Sequence, residues 1–172
     1  MPRRDDSYCI ARANESPEGT KRMKTPLFIG FFAVLALGAC AQETPGSKAA
    51  AARHANFEKL GDAFKTLGDE SKKPAPDAAL MSQKAVEVAD LAEALPTWFT
   101  AGSGPQDGVE SRAKADIWTN ELEFADKVKN LTLQTAEMRA AANDGAEALT
   151  AHIADVGAAC KSCHDQFREP RN

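Results

Sequence analysis

The sequence predicts an all-α domain, an antiparallel four-helix bundle. Three observations carry this. Apolar residues recur at helical spacings of three and four in four separate segments. Short runs rich in proline, glycine or asparagine separate those segments. No stretch shows the strict apolar–polar alternation of a half-buried strand. Four amphipathic helices joined by short links bury their stripes most simply against one another, each antiparallel to its neighbour.

The first helix is expected over about 49–71, where Phe57, Leu60, Phe64 and Leu67 form one face. Lys72-Lys73-Pro74-Ala75-Pro76 stops it. The second runs from about Asp77 to Leu95, with Met81, Val88, Leu91 and Leu95 on one stripe. Pro96 and Gly102-Ser103-Gly104-Pro105 end it. Trp98 to Gly108 is the longest link, expected either to carry a crossover or to bridge a gap at one end. The third helix is expected from just after Gly108. Its stripe is Ile117, Phe124, Val128, Leu131 and Met138, and Asn143-Asp144-Gly145 closes it. The fourth spans about 146–168, with Leu149, Ile153, Val156, Cys160, Cys163 and Phe167 on its stripe.

That last stripe contains Cys160-Lys161-Ser162-Cys163-His164, a CxxCH pattern. Two cysteines at this spacing can each form a thioether with a haem vinyl group, and the adjacent histidine can ligate the iron. On a helix, residues three and four apart share a face, so both sulfurs and the imidazole project from adjacent turns. A zinc half-site would need further ligands, and Cys9, Cys40, His54 and His152 are scattered. A redox CxxC needs a helix N-terminus to depress its thiol pKa, whereas this pattern lies near a helix end. The expected cofactor is one covalent haem c. His54 and His152 are read as solvated, and Met81 and Met138 as core packing.

The N-terminal part reads as export machinery. Residues 1–22 mix both charge signs with Pro17 and Gly19 and do not resemble a targeting segment, so Met23 is the expected start. The apolar run from Leu27 to Ala39 is too short to span a bilayer but suits a signal peptide. It ends Leu37-Gly38-Ala39-Cys40, which resembles a bacterial lipoprotein signal, in which the cysteine is acylated and becomes the first mature residue. Cleavage near Ala39 as an ordinary secretory peptide, leaving Cys40 free, is the alternative. The chain thus divides into a doubtful extension plus signal (1–39), a lipidated tether (40–48) and a haem-binding bundle (49–172). Export to the periplasm follows, with membrane contact through Cys40. No cysteine pair is left for a disulfide. Residues 40–172 carry 15 Lys and Arg against 21 Asp and Glu. No basic patch stands out, so nucleic acid is not an expected partner.

Four helices with CxxCH near the C-terminus resemble the cytochrome c′ family. Further similarity lies in Ala94-Leu95-Pro96 with Trp98-Phe99, in Asp116-Ile117-Trp118, and in Asp155-Val156-Gly157-Ala158-Ala159 before the motif. The resemblance covers about residues 49–170. It implies a distal pair in the first helix, Arg53 and Phe57. An apolar residue at the second position implies five-coordinate iron, with His164 the only protein ligand and an open side that binds nitric oxide or carbon monoxide. Low-spin relatives carry Met there. Arg53 is expected either to pair with a propionate or to be a solvated helix charge. Arg168 is expected on the proximal side or near a propionate, or as a cation at a helix C-terminus. The resemblance also implies a homodimer through the first two helices. The alternatives are a six-coordinate electron carrier, with Met81 or Met138 as sixth ligand, and a haem subunit docking on a redox partner. No nucleophile–base pair is evident, so no enzyme activity is expected.

Overall fold

The computed structural model describes residues 43–170. The signal segment, Cys40 and the doubtful 1–22 stretch lie outside the described residues. The helices are α1 (Pro45–Glu70), α2 (Ala78–Ala94), a short α3 (Asp116–Thr119), α4 (Glu121–Ala140) and α5 (Ala146–Phe167). Single 3₁₀ turns cover Leu95–Trp98, Pro105–Asp107 and Ala141–Asn143. The bundle is made by α1, α2, α4 and α5. Helix α1 packs chiefly on α2, α2 on α4, and α4 on α5, while α1 and α5 touch sparsely. The link from Trp98 to Gly108 therefore bridges neighbouring helices and carries no crossover.

Two boundaries differ from expectation. The tether does not reach residue 48, because α1 already begins at Pro45. Thr44 caps it, accepting the Ser47 N–H at 3.0 Å on Oγ1, and proline fits the first helical position. Gly46 lies so close to the Gly102 carbonyl that a β-carbon would sit 2.0 Å from that oxygen. Glycine there lets the start of α1 pack under the 99–104 loop. The third bundle helix does not start after Gly108. Residues 109–115 are irregular, α3 is a single turn, and Asn120 breaks the helix (φ −117°, ψ 52°) before α4. The apolar stripe could not reveal this, since Ile117 and Phe124 are buried on both sides of the break.

The stripes otherwise form the core. Leu67, Met81, Met138, Leu149 and Val156 are fully buried, with Leu60, Val88, Leu95, Ile117, Val128, Leu131 and Phe167 around them. Met81 and Met138 lie at the end of the bundle where α1 turns into α2 and α4 into α5. That turn is held by Glu70, itself buried, which pairs with Lys73 and accepts the Asp77 N–H at 3.3 Å. Asp77 in turn caps α2 through Leu80 N–H at 3.0 Å.

The Lys73 and Asp77 hydrogen bonds hold the Glu70 carboxyl below its usual pKa. A depressed carboxylate contributes stability above its unfolded pKa of 4.5, and that contribution fades as pH falls through this value and below. Glu70→Gln is therefore expected to lower the melting temperature at pH 7 by several degrees. The two melting curves should draw together as the pH falls below 4.5, read by circular dichroism across that range.

Candidate haem-attachment site

The site is built from the facing sides of α1 and α5. On α5 the core positions are Leu149, Val156, Ala159 and Phe167, and Ile153, Cys160 and Cys163 sit half-buried beside them. The helical phase that sinks Val156 and Phe167 into the core thus turns Cys160, Cys163 and His164 toward one edge of it.

The register of α1 against α5 is fixed where the Phe64 ring lies on Gly157, its Cζ 3.7 Å from where a β-carbon would be. The helices run antiparallel. Seven residues toward the N-terminus of α1 is Phe57, and seven toward the C-terminus of α5 is His164. Each step is about 10.5 Å, two turns, and keeps the same face. Phe57 and His164 therefore stand level across the loosest seam of the bundle. Four residues beyond them, Arg53 and Arg168 share the next level.

The chemistry of the donors fits haem c. Cys160 and Cys163 are free. Burial raises both thiols, Cys163 to about 11 with Cys160 adding to the shift. They are S–H groups at neutral pH, the form that adds across a vinyl double bond with every atom retained. A redox CxxC requires the opposite shift. Burial, aided by Arg168 and Arg112, pushes the His164 imidazole down to about 4. It is neutral at pH 7 and has a lone pair to give to iron. Among the described residues no three His, Cys, Asp or Glu side chains gather around one point, so a zinc half-site has nothing to complete it. Lys127 of α4 donates to Ser162 Oγ at 2.8 Å and pins the motif from the far side.

Phe57 is half-buried. Its ring makes edge contacts with Trp98 at 5.1 Å and Phe99 at 6.1 Å, between centroids. Phe99 continues onto Phe124 at 4.8 Å, and Phe124 onto Phe167 at 5.3 Å. The wall on the α1 side of the seam is aromatic.

Arg53 is only 4% exposed, which overturns its reading as a solvated charge. Nη1 donates to the Trp98 carbonyl at 3.3 Å and to Ser103 Oγ at 2.9 Å. Nη2 donates to the Ser103 carbonyl at 2.9 Å and to Ser111 Oγ at 3.1 Å. The guanidinium also lies over Phe99 at 5.0 Å and Trp118 at 5.5 Å. All four Nη hydrogens are committed to protein, which leaves Nε–H alone for a propionate. Burial pulls its pKa down, yet a guanidinium stays charged at neutral pH. Sequence reasoning missed Ser103 and Ser111. The signal available was Arg53 itself, four residues before Phe57 on a buried stripe.

The end of α5 is tied to the same region. Residue Ala113 bridges Arg168, with Lys114 N–H donating to the Phe167 carbonyl at 3.0 Å and Glu169 N–H to the Arg112 carbonyl at 2.8 Å. His54 is exposed and pairs with Glu58 at 3.3 Å. His152 is half-buried, not solvated as expected. Met81 and Met138 lie at the other end of the bundle from His164. An apolar cleft of about 520 Å³ lies between α2 and α3–α4, beside Phe99, Trp118 and Phe124. No residue of α1 or α5 lines it. No helix among the described residues is long and apolar enough to cross a membrane.

Replacing both Cys160 and Cys163 by alanine is expected to abolish the haem-stained band on a denaturing gel. His164→Ala should keep that band, change the visible spectrum, and respond to added imidazole.

Known proteins resemble this chain in sequence and fold. The sequence model of the Cytochrome C′ family matches residues 48–168. A cytochrome c-554 of Cereibacter sphaeroides is 30% identical over 141 residues, 80% of this chain and 92% of that protein. A cytochrome c′ of Alcaligenes xylosoxydans xylosoxydans is 35% identical over 101 residues, 58% of this chain and 76% of the other. Among solved structures, cytochrome c′ from Rhodobacter sphaeroides superposes with a TM-score of 0.67 at 30% identity, over 74% of this chain and all of that one. A nitric oxide complex of a mutant cytochrome c prime from Alcaligenes xylosoxidans gives 0.65 at 25% identity, over 73% and 97%. With its four-helix bundle and its CxxCH on the last helix, the chain belongs to the cytochrome c′ family, whose members carry covalently bound haem c.

Proposed function

We propose that this chain is an exported haem protein whose iron is left open on one side and binds small uncharged gases, nitric oxide and carbon monoxide. Cys160 and Cys163 hold the haem, and His164 is its only protein ligand. The observation that carries this is Phe64 packed on Gly157, from which the helical repeat puts Phe57 of α1 at the height of His164 of α5. A phenyl ring has no lone pair for iron. When bound, the haem supplies an iron centre that takes up a diatomic ligand and changes oxidation state.

The chain's own residues set the conditions. His164 presents a neutral ring nitrogen from a helix whose end is pinned to residues 112–114. Phe57, backed by Trp98 and Phe99, excludes water and offers no hydrogen bond to an anion or to a bound polar ligand. Diatomic gases pass such a wall more readily than larger molecules. The nitric oxide complex of the Alcaligenes relative supports this ligand class by analogy. A merely redox role remains compatible with the same haem, and binding rather than turnover is the proposed activity.

The competing reading is a six-coordinate electron carrier. It requires a sulfur near the iron. Met81 and Met138 are fully buried in the core at the other end of the bundle, which opposes it. A haem subunit docking its acidic surface on a redox partner is a third reading, tested by co-purification. Arg168 is proposed on the proximal side, one turn after His164. Cys40 is proposed as the lipid anchor, holding the bundle at the periplasmic face of a membrane. The exposed Ala51 and Ala52 of α1 leave room for a second copy, and a homodimer is proposed there, to be checked by sedimentation.

The visible spectrum of the reduced protein is expected to be high-spin and to shift fully with carbon monoxide. Met81→Leu and Met138→Leu should leave it unchanged apart from a lower melting temperature. A low-spin spectrum indifferent to carbon monoxide would sink the open-iron reading.

A further inference from the structure

The Arg53 network joins parts of the chain that have no other reason to move together. From α1 it reaches Trp98 and Ser103 in one loop and Ser111 in the next. Ser103 is wholly buried and its hydroxyl donates a hydrogen bond to the Thr100 carbonyl at 2.7 Å. Trp118 Nε1 donates to that same carbonyl at 3.2 Å. Ser111 Oγ also accepts the Ala113 N–H at 3.1 Å, and Ala113 bridges Arg168 beside the proximal histidine's turn. The two residues that back the Phe57 ring, Trp98 and Phe99, are each held by Arg53, one by its carbonyl and the other under the guanidinium. Phe57 can withdraw from the seam only by displacing them.

We propose that Arg53, clamped by Ser103 and Ser111, is a specificity-determining residue that fixes how far Phe57 can yield, and so sets the size of ligand admitted to the open side of the iron. This differs from a propionate contact, because the guanidinium acts through the aromatic wall. It also differs from simple core packing, because two serine hydroxyls are needed to hold the charge in place. The inference rests on the open-iron reading above for its consequence in ligand binding. The clamp itself stands on the hydrogen bonds alone.

The test uses the holoprotein and the double variant S103A/S111A, which keeps both backbone carbonyl bonds to Arg53. Carbon monoxide and n-butyl isocyanide association rates are measured on the reduced forms, and deuterium uptake is followed over residues 98–112. The clamp predicts that n-butyl isocyanide speeds up about tenfold relative to carbon monoxide, roughly the worth of one charge-assisted hydrogen bond. It also predicts faster exchange in 98–112. If the two ligands change by the same factor while only the melting temperature falls, Arg53 is structural and the proposal is overturned. Unchanged deuterium uptake would overturn the clamp itself. If the wild type binds neither ligand, the open-iron reading fails and the size-selection proposal falls with it, while the exchange data still decide the clamp. R53M is the harsher companion: it should exceed the double variant in the same two readouts, and a smaller effect than S103A/S111A would count against the proposal.

Discussion

The site depends on the antiparallel register of α1 against α5. One contact, Phe64 on Gly157, sets it, and two turns away it brings Phe57 level with His164. A slip of one residue would rotate Phe57 by about 100° off the seam. The cysteines would then face a different part of the wall. Helical phase does the same work within α5. The core positions Val156 and Phe167 are buried, and Cys160 and Cys163 follow half-buried at their edge.

Around that seam, the irregular part of the chain is gathered by one buried cation. Desolvating a guanidinium is costly unless its hydrogens are all met. Arg53 meets the condition at its four Nη hydrogens, with two carbonyls and two hydroxyls, and sets its face against two aromatic rings. These partners come from three separate stretches. Losing the cation would therefore loosen loops that the helical core does not reach. By contrast, the ion pairs of Arg139 with Asp90 and Glu93 lie at the surface between α4 and α2 and contribute little each.

Much of this was legible in the sequence. All four apolar stripes became core, because spacings of three and four state which residues share a face. CxxCH states its chemistry through adjacency, which needs no tertiary information. α2 ends next to Pro96 as expected, where the chain tightens into the 3₁₀ turn Leu95–Trp98 and proline takes an early position in that turn. What could not be read depended on contacts distant in sequence. Ser103 and Ser111 look like ordinary loop serines until Arg53, some fifty residues earlier, is folded against them. The irregular 109–115 stretch is held by Phe167 and Glu169 at the far end of the chain, and no local pattern announces such a pairing. Pro45 and Gly46 carried a misleading signal. Their type suggests a linker, but proline suits a helix's first turn and glycine was selected by the carbonyl above it.

The sparse packing between α1 and α5 has a consequence for how the molecule is assembled. These helices lie at opposite ends of the described chain, so their contact closes the longest loop and is the costliest to form early. The contacts of α1 with α2 and of α4 with α5 are local, and the far end of the bundle is filled without any part of the motif. The expected order is two hairpins docking through α2 and α4, with the seam still ajar. A seam that closes last and packs sparsely would take a flat group beside Cys160 and Cys163 with no packed layer undone.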